Sequence, residues 1–465
     1  KEPACPPTRE CVSACTCATT GAVAAAAAAC RDPAALVAAM AMDSDGEDNF
    51  INFGALLPPT PASGGGPAQP PLPPAALVLG GSTFMGRETV QALLALPARV
   101  CIVNRGRAYW GTSDVSDGRA ARVVADRKDG DLFSARLDVA TERLGERWAL
   151  VADFSAYNGG DINAALAGLR GRFDTYAYIS SDSVYEVSSW AGDSWARRGD
   201  ATEDPIVSEV ASTRPSDAAA RKRLRRADSY GHGKLEAEEA LGIGLSADAS
   251  AGRGVALRLP DVIGPYDDTF RLWAFWHWLQ AGPDHPLQVH EAPATKRPRR
   301  ESGGQPAPAD VPLSFVFSRD VARFIVSLIG SPAPPDAPRL DAVNVACERQ
   351  PTLREFLVLL AQASGQEQPP LEAVARPKAF LPSVDRPWPL DCRRLRAAYG
   401  FQPTPLEEVL KACAGWFAEA CAKFPDEALQ AARKLPPGAR EAAVARARLP
   451  QQVEQLLRPE LSRQP

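Results

Sequence analysis

Three glycines, Gly80, Gly81 and Gly86, lie between a short apolar run and a run with helical spacing. The order is that of a strand, a glycine turn and a helix. A helix N-terminus presents unpaired N–H groups and a partial positive charge, which suits a pyrophosphate. Glycines let the backbone approach such an anion closely. We interpret Ala75 to Leu94 as a dinucleotide-binding turn, the alternative being an ordinary turn that binds nothing.

The end of the next strand bears on which dinucleotide binds. The apolar stretch from Arg99 to Gly106 ends in Asn104-Arg105. In dinucleotide folds this strand end meets the adenosine ribose, where an acid binds the 2′-hydroxyl of NAD and an arginine accommodates the 2′-phosphate of NADP. Asn104 and Arg105 therefore favour NADP over NAD, unless they are a charged strand end that faces water.

Polar clusters follow the later predicted strands, at Asp126, at Asp153 and at Ser180. Strands that alternate with helices indicate right-handed crossovers and a mostly parallel sheet, and ligands on such sheets bind beyond the carboxyl ends of the strands. Further along the chain, Tyr230 and Lys234 are one helical turn apart, so both side chains can face the same site. A pair on a helix surface would have the same spacing.

The predicted fold class is therefore α/β, a Rossmann doubly wound parallel sheet with a smaller C-terminal substrate lobe. The N-terminal segment holds an alanine run and a Pro/Gly/Ser tract, which predict a disordered, low-complexity extension. The predicted segments are the extension (1–74), the NAD(P)-binding Rossmann domain (75–258, with 313–346 returning to it), the substrate lobe (259–312 and 347–424) and a helical tail (425–465).

The composition of the chain limits the classes of protein to which it can belong. The chain has 465 residues, 45% hydrophobic and 23% charged, and a net charge of −4, which does not favour nucleic-acid binding by the chain as a whole. No apolar run reaches the roughly 18 residues that a membrane span needs. The ten cysteines match no zinc pattern, so no metal site is predicted, and a reducing intracellular compartment is expected. The first residue is Lys, so the native start and any targeting peptide are expected upstream.

Seven motifs occur in one order along the chain. They are Gly80-Gly81-x-x-Phe84-x-Gly86, Ile179 to Tyr185, Tyr230-x-x-x-Lys234, Leu257 to Pro265, Phe315-x-x-x-x-Asp320-Val-Ala322, Asn344-Val-Ala346 and Asp391 to Pro403. In this order they resemble the extended (atypical) short-chain dehydrogenase/reductase family, in its NAD-dependent epimerase/dehydratase group. The resemblance covers roughly Ala75 to Phe424. Each motif alone is weak, and the ordered set is specific.

The resemblance implies an NAD(P)-dependent oxidoreductase or epimerase that acts on a hydroxyl of a nucleotide-sugar-like substrate. Tyr230 would be the catalytic acid/base, Lys234 its partner, and Ser181 the residue that orients the substrate. A nearby ammonium favours the phenolate, which agrees with these roles. The implied cofactor-binding residues are Gly80, Gly81, Thr83, Phe84, Met85, Gly86, Asn104, Arg105, Asp126, Tyr230 and Lys234.

The sequence departs from the family pattern at Thr83, where the family usually has glycine. The subgroup that contains the chloroplast stem-loop-binding proteins also lacks this glycine, and it shares features like Asn104-Arg-Gly106 and Asp126-Arg-Lys-Asp129. That subgroup binds RNA, so the alternative is a non-catalytic member that serves as an RNA-binding or complex-assembly subunit. Ser183 stands where the 4,6-dehydratases have a glutamate, which argues against dehydration. Expected partners are a small-molecule substrate, with RNA, a larger complex or a second copy left open.

Overall fold

A computed structural model describes residues 51–52, 73–143, 147–188, 206–211, 214–290, 312–374, 381 and 389–446. Its strands are β1 (Ile51–Asn52), β2 (Ala75–Leu79), β3 (Arg99–Asn104), β4 (Ala121–Val124), β5 (Trp148–Asp153), β6 (Phe173–Ser181), β7 (Arg253–Leu259), β8 (Asp261–Ile263), β9 (Leu287–His290), β10 (Phe315–Phe317), β11 (Leu340–Asn344) and β12 (Leu371–Val374). Its α-helices are α1 (Phe84–Leu94), α2 (Gly130–Arg143), α3 (Gly159–Leu169), α4 (Ala218–Ala227), α5 (Ser229–Ala247), α6 (Arg271–Ala281), α7 (Ser318–Ser327), α8 (Leu353–Ser364), α9 (Arg393–Tyr399), α10 (Leu406–Lys423), α11 (Pro425–Ala432) and α12 (Pro437–Arg446).

The central sheet has the strand order β1-β4-β3-β2-β5-β6-β7-β11. Seven strands are parallel, and only the edge strand β1 runs antiparallel, to β4. The chain reverses its direction of winding between β2 and β5, which is where open α/β sheets bind ligands. Every residue of β2 is buried, as expected of a central parallel strand covered on both faces. The predicted α/β doubly wound sheet is confirmed.

Helices cover both faces of this sheet. On one face, Val90 of α1 and Phe324 of α7 belong to one hydrophobic cluster with the strands. On the other face, Leu137 of α2, Ile162 of α3 and Leu241 of α5 form the second cluster. The two layers hold the carboxyl ends of the strands at one edge of the sheet. The residues predicted to do chemistry follow these strand ends.

The lobe has its own core, built around the aromatic helix α6. Helices α8 and α10 pack on it, and so do α11 and α12, which lie in the segment predicted to be a tail. Strand β10, from the stretch predicted to return to the main sheet, pairs with β8, whereas α7 packs against α1. The remainder of the predicted extension and tail lies outside the described residues. None of the helices that the structure describes is long and apolar enough to span a bilayer.

His277 of α6 makes the stability of the lobe depend on pH. Its imidazole is fully buried and stacks on Trp273 with ring centroids 5.6 Å apart. Burial lowers the pKa of His277 to about 3, so the imidazole is neutral in the folded protein. The unfolded chain, with a histidine pKa near 6.5, binds one more proton below that pH. The free energy of unfolding should therefore fall as the pH drops from 6.5 towards 3, by about 2 kcal/mol at pH 5.

Urea denaturation at neutral pH and at pH 5 checks this expectation with the variant His277→Phe, which keeps a buried aromatic ring. The variant should lose about 2 kcal/mol less than the wild type between the two pH values. The matched control is the same replacement at His285, a half-buried histidine of the same lobe. If the free energy of unfolding fell equally in His277→Phe and the wild type, His277 would not be the source of the pH dependence.

Candidate functional site

A cleft of about 800 Å³ opens at the carboxyl edge of the sheet, between the sheet and the lobe. Residues from seven parts of the chain line it: the α1 start, the segment after β5, the end of β6, the start of α5, the segment from β7 to β8, the segment that enters α6, and the turn after α11. Predicted site residues in this lining are Phe84, Met85, Ser181 and Tyr230. The fold therefore brings the glycine turn and the polar motifs together, although they are far apart in the sequence.

The glycine turn between β2 and α1 has no room for side chains at its three glycines. Gly80 has φ +91°, a left-handed conformation that favours glycine. A Cβ at Gly81 would lie 2.8 Å from Val90 Cγ2, and one at Gly86 would collide with the carbonyl oxygen of Gly80. Gly81 and Gly86 are thus needed for the close approach of α1 to β2, and Gly80 for its backbone conformation.

Thr83, the departure from the family pattern, is the N-cap residue of α1, but its side chain makes no capping hydrogen bond. Its hydroxyl instead donates to the carbonyl of Tyr266 and accepts from Trp110 Nε1, both at 3.3 Å. Trp110 packs on the ring of Tyr266 at the edge of the lobe core. The threonine hydroxyl therefore ties the glycine turn to the lobe, and it does not occupy the first N–H groups of the helix.

The polar residues predicted at the ends of β3 and β4 do not line the cleft. The backbone N–H of Gly80 donates to Val103 O in β3, which places the end of β3 next to the turn. Asn104 Oδ1 accepts from the N–H of Gly106, Arg105 Nη2 donates to the hydroxyl of Tyr109 at 3.3 Å, and Asp126 Oδ1 accepts from the N–H of Lys128.

Ser181 and Tyr230 meet in the cleft. Ser181 is the last residue of β6 and is buried, and its hydroxyl also contacts Asp182 Oδ1 at 3.2 Å. Tyr230 lies in the first turn of α5, whose N-cap residue Asp228 accepts from the N–H of Gly231. Tyr230 is 47% exposed, but desolvation of its hydroxyl and the neighbouring Tyr157 together raise the pKa of Tyr230 to about 12, against an opposing hydrogen bond from Ser181. The hydroxyl pair predicted from sequence is present in the structure.

Lys234 lies one helical turn after Tyr230 and is almost completely buried. Its Nζ donates to Ala156 O at 2.9 Å and to Ile179 O at 2.8 Å, and it lies 5.7 Å from the centroid of the Tyr230 ring. Burial lowers the pKa of Lys234 to about 8, with Asp153 opposing the effect. At neutral pH the side chain is therefore mainly an ammonium that faces the Tyr230 ring.

A buried ion pair supports the strand that carries Ser181. Glu238 of α5 accepts from Arg258 of β7, with 2.6 Å between Oε2 and Nη2, and from the hydroxyl of Ser180 at 2.5 Å. Burial alone would lower the pKa of Arg258, but Glu238 and the phenol of Tyr185 raise it overall. The pair fixes α5 to the ends of β6 and β7, and so sets the position of Tyr230 relative to Ser181.

Charged groups of both signs surround the hydroxyl pair. Asp182 follows Ser181, and burial together with the nearby Asp261 raises the pKa of Asp182 well above its usual range. On the lobe side, Arg271 pairs with Asp261 at 2.5 Å, and Lys434 lines the same cleft from the turn after α11. The cleft therefore holds cations on its lobe side that an anionic substrate group could contact.

The residues at the turn fit a dinucleotide. The three glycines of the turn carry no side chain, and the first N–H groups of α1 are not capped by Thr83, so they can donate to a pyrophosphate. Lys234, a three-proton donor, uses two protons on carbonyls.

Several known structures share this architecture. The chain aligns with the UDP-glucose 4-epimerase of Thermus thermophilus in complex with NAD, at 18% identity and a TM-score of 0.52. It aligns equally well with the UDP-glucuronic acid 4-epimerase of Bacillus cereus in complex with NAD, at 16% identity and a TM-score of 0.52. Both alignments cover 74% of this chain and 99% of the epimerase. The chain has the epimerase fold. No protein-family model and no curated protein matches the sequence.

Among the cleft residues that sequence reasoning missed are Tyr157, Arg271 and Lys434. Tyr157 could have been found, since it follows β5 among the polar residues that were expected to face a ligand. Arg271 lies at the start of the aromatic helix and had no recognisable spacing to the other motifs. Lys434 belongs to the predicted tail, and only the packing of α11 and α12 on α6 brings it to the cleft.

The substitution Gly86→Ala tests the glycine turn. Its Cβ would collide with the carbonyl oxygen of Gly80, so α1 must move away from β2 and the turn must open. We expect the dissociation constant for NADH or NADPH to rise at least about tenfold, which is ~1.4 kcal/mol. Fluorescence titration of the reduced cofactor measures it. The control is Gly415→Ala in α10, where a Cβ meets nothing within 4 Å and affinity should not change.

Proposed function

We propose that the chain is an NAD(P)-dependent oxidoreductase or epimerase of the extended short-chain dehydrogenase/reductase type, acting on a hydroxyl of a nucleotide-sugar-like substrate. The observation that carries the proposal is that Ser181 and Tyr230 line one cleft with Phe84 and Met85 of the glycine turn, while Lys234 is buried one helical turn after Tyr230. The epimerases that share the fold are described with NAD and, for the enzyme of Thermotoga maritima, with UDP-glucose. Arg105, beside the turn, favours NADP over NAD for this chain.

When bound, the nicotinamide would accept or donate the hydride. The chain's own residues handle the proton and the oxygen. Ser181 would donate a hydrogen bond to the reacting substrate oxygen, and Tyr230 would take the proton of the substrate hydroxyl as a phenolate. Because burial raises the pKa of Tyr230 to about 12, the phenolate needs positive charge nearby, and the Lys234 ammonium supplies it.

Native mass spectrometry followed by a turnover assay tests the proposal. The purified protein should retain or bind NAD(H) or NADP(H), and titrations with NADH and NADPH side by side decide between the two cofactors. A panel of UDP-sugars should then give reduced cofactor or an epimerised product. A protein that binds neither cofactor would exclude the redox function.

A second function, the binding of RNA by a non-catalytic member of this fold, is favoured by one observation. Helix α4, whose last residue Ala227 lines the cleft, exposes five basic side chains, namely Arg221, Lys222, Arg223, Arg225 and Arg226. A cluster of cations of this kind binds phosphate backbones in a salt-dependent manner. Anisotropy titrations with a single-stranded RNA, repeated with Arg223→Glu and Arg226→Glu, test it. RNA affinity that is lost in the variants, without turnover in the wild type, would favour this function.

A further inference from the structure

The side chain of Tyr157 has no role in the chemistry described so far, although it lies between Lys234 and the cleft. We propose that Tyr157 is a positioning residue for Lys234: its ring closes the cleft-facing side of the ammonium and holds it against the two carbonyls that it contacts. The proposal rests on the proposed function, in which Lys234 acts through Tyr230. The reactivity of Lys234 itself can be tested without substrate or cofactor.

The backbone of Tyr157 is held in place from two sides. Its N–H donates to Asp161 Oδ2 at 2.8 Å. Its carbonyl packs against Gly233, where an added Cβ would collide with the oxygen. Gly233 precedes Lys234 directly, so the close approach of the two backbones sets the distance between the Tyr157 ring and the lysine side chain. The sequence Tyr-Gly-His-Gly-Lys thus contains a glycine that this contact requires.

The ring of Tyr157 lies over the ammonium. Lys234 Nζ is 4.7 Å from the centroid of the Tyr157 ring, closer than to the rings of Tyr178 and Tyr230, at 5.2 and 5.7 Å. Tyr157 is 56% exposed and lines the cleft, whereas Lys234 is only 2% exposed. The ring is therefore the layer that separates the ammonium from solvent on the cleft side.

This arrangement has an energetic consequence for Lys234. An ammonium over an aromatic face is stabilised by the ring quadrupole, but the same ring removes water from it, and desolvation favours the neutral amine. Burial by all its neighbours lowers the pKa of Lys234 to about 8, and the Tyr157 ring provides the cleft-facing part of that burial. The other charged groups that face Lys234 are Asp153, Arg127, Asp161 and Glu238. None of these four residues is replaced in a variant of Tyr157.

Competitive acetylation with acetic anhydride, read by peptide mass spectrometry over a series of pH values, tests the proposal. The labelling of Lys234 is compared with that of Lys411, which is exposed on α10. In the wild type, Lys234 should label slowly even when deprotonated, with a midpoint near its pKa of about 8. In Tyr157→Ala, the limiting rate should rise about tenfold, and the midpoint should rise by about one pH unit or more towards the ordinary lysine value.

Tyr157→Phe keeps the ring and should label as the wild type does. Tyr157→Leu removes the ring but keeps apolar volume, so it can be measured even if the alanine variant does not fold. An unchanged rate and midpoint in Tyr157→Ala and Tyr157→Leu, with or without a change in melting temperature, would overturn the proposal. A phenylalanine variant that behaves like the alanine variant would also overturn it, because the ring would then not be the cause. The labelling needs no turnover, so a wild type without activity would refute only the proposed function.

Discussion

Replacing Tyr230 by phenylalanine should lower kcat by about 10²–10⁴-fold, the usual contribution of a positioned acid or base. The variant removes only the hydroxyl that meets Ser181 in the cleft. The aromatic ring remains, so the packing against Tyr157 and the distance to Lys234 should not change. Cofactor affinity should therefore stay within about twofold of the wild-type value, since uniform binding is not affected.

The measurement is steady-state turnover of the UDP-sugar that the wild type accepts, together with a titration of the reduced cofactor. Tyr109→Phe is the matched control, because that hydroxyl contacts Arg105 outside the cleft lining. It should leave kcat close to the wild-type value. A Tyr230→Phe variant with wild-type kcat would show that the phenol does not carry the proton, and the Ser-Tyr-Lys chemistry would then be wrong for this chain.

Replacing Glu238 by alanine should lower the free energy of unfolding by about 3–5 kcal/mol, because it leaves the buried guanidinium of Arg258 without its counter-charge. Both side chains are buried, with 4% and 6% of their surfaces exposed for Arg258 and Glu238. The hydroxyl of Ser180 would lose its partner as well. Urea denaturation, with the transition followed by circular dichroism, measures the loss.

The neighbouring substitution Glu239→Ala is the control. Glu239 pairs with Arg214 at 2.6 Å, but 41% of its side chain is exposed, and a pair of this kind contributes about 1 kcal/mol or less. The double variant Glu238→Leu, Arg258→Met should recover much of the stability, since apolar residues can replace a buried ion pair without loss. If Glu238→Ala were no less stable than Glu239→Ala, the buried pair would not hold the site together.

Local patterns in the sequence predicted most of the sheet and the main parts of the cleft. The apolar runs, which are buried on both faces, correspond to β2, β3, β5, β6 and β7, and the glycine turn lies between β2 and α1. The stretch Thr352-Leu-Arg-Glu355 has the sequence pattern of a capping box, and the capping box is present at the start of α8. These features depend on neighbours within a few positions, which is why periodicity and turn residues reveal them.

The partners of Thr83 could not be predicted in this way. The sequence marked Thr83 as a departure at the turn, and the structure shows its hydroxyl bound to Trp110 and Tyr266. Tyr266 is 183 positions away along the chain. A hydrogen bond across such a separation depends on how the lobe packs on the sheet, and no local pattern encodes it.

By itself, the sequence determined the α/β class and the succession of strands and helices along the chain. It also determined the residue types that could bind a dinucleotide and move a proton. Only the tertiary structure decided that Ser181 and Tyr230 share a cleft, that Tyr157 covers Lys234, and that Lys434 reaches the site. The physical reason is the range of the interactions. Backbone propensity and periodicity act over a few residues, whereas burial and charge pairing join residues that the folded layers bring together.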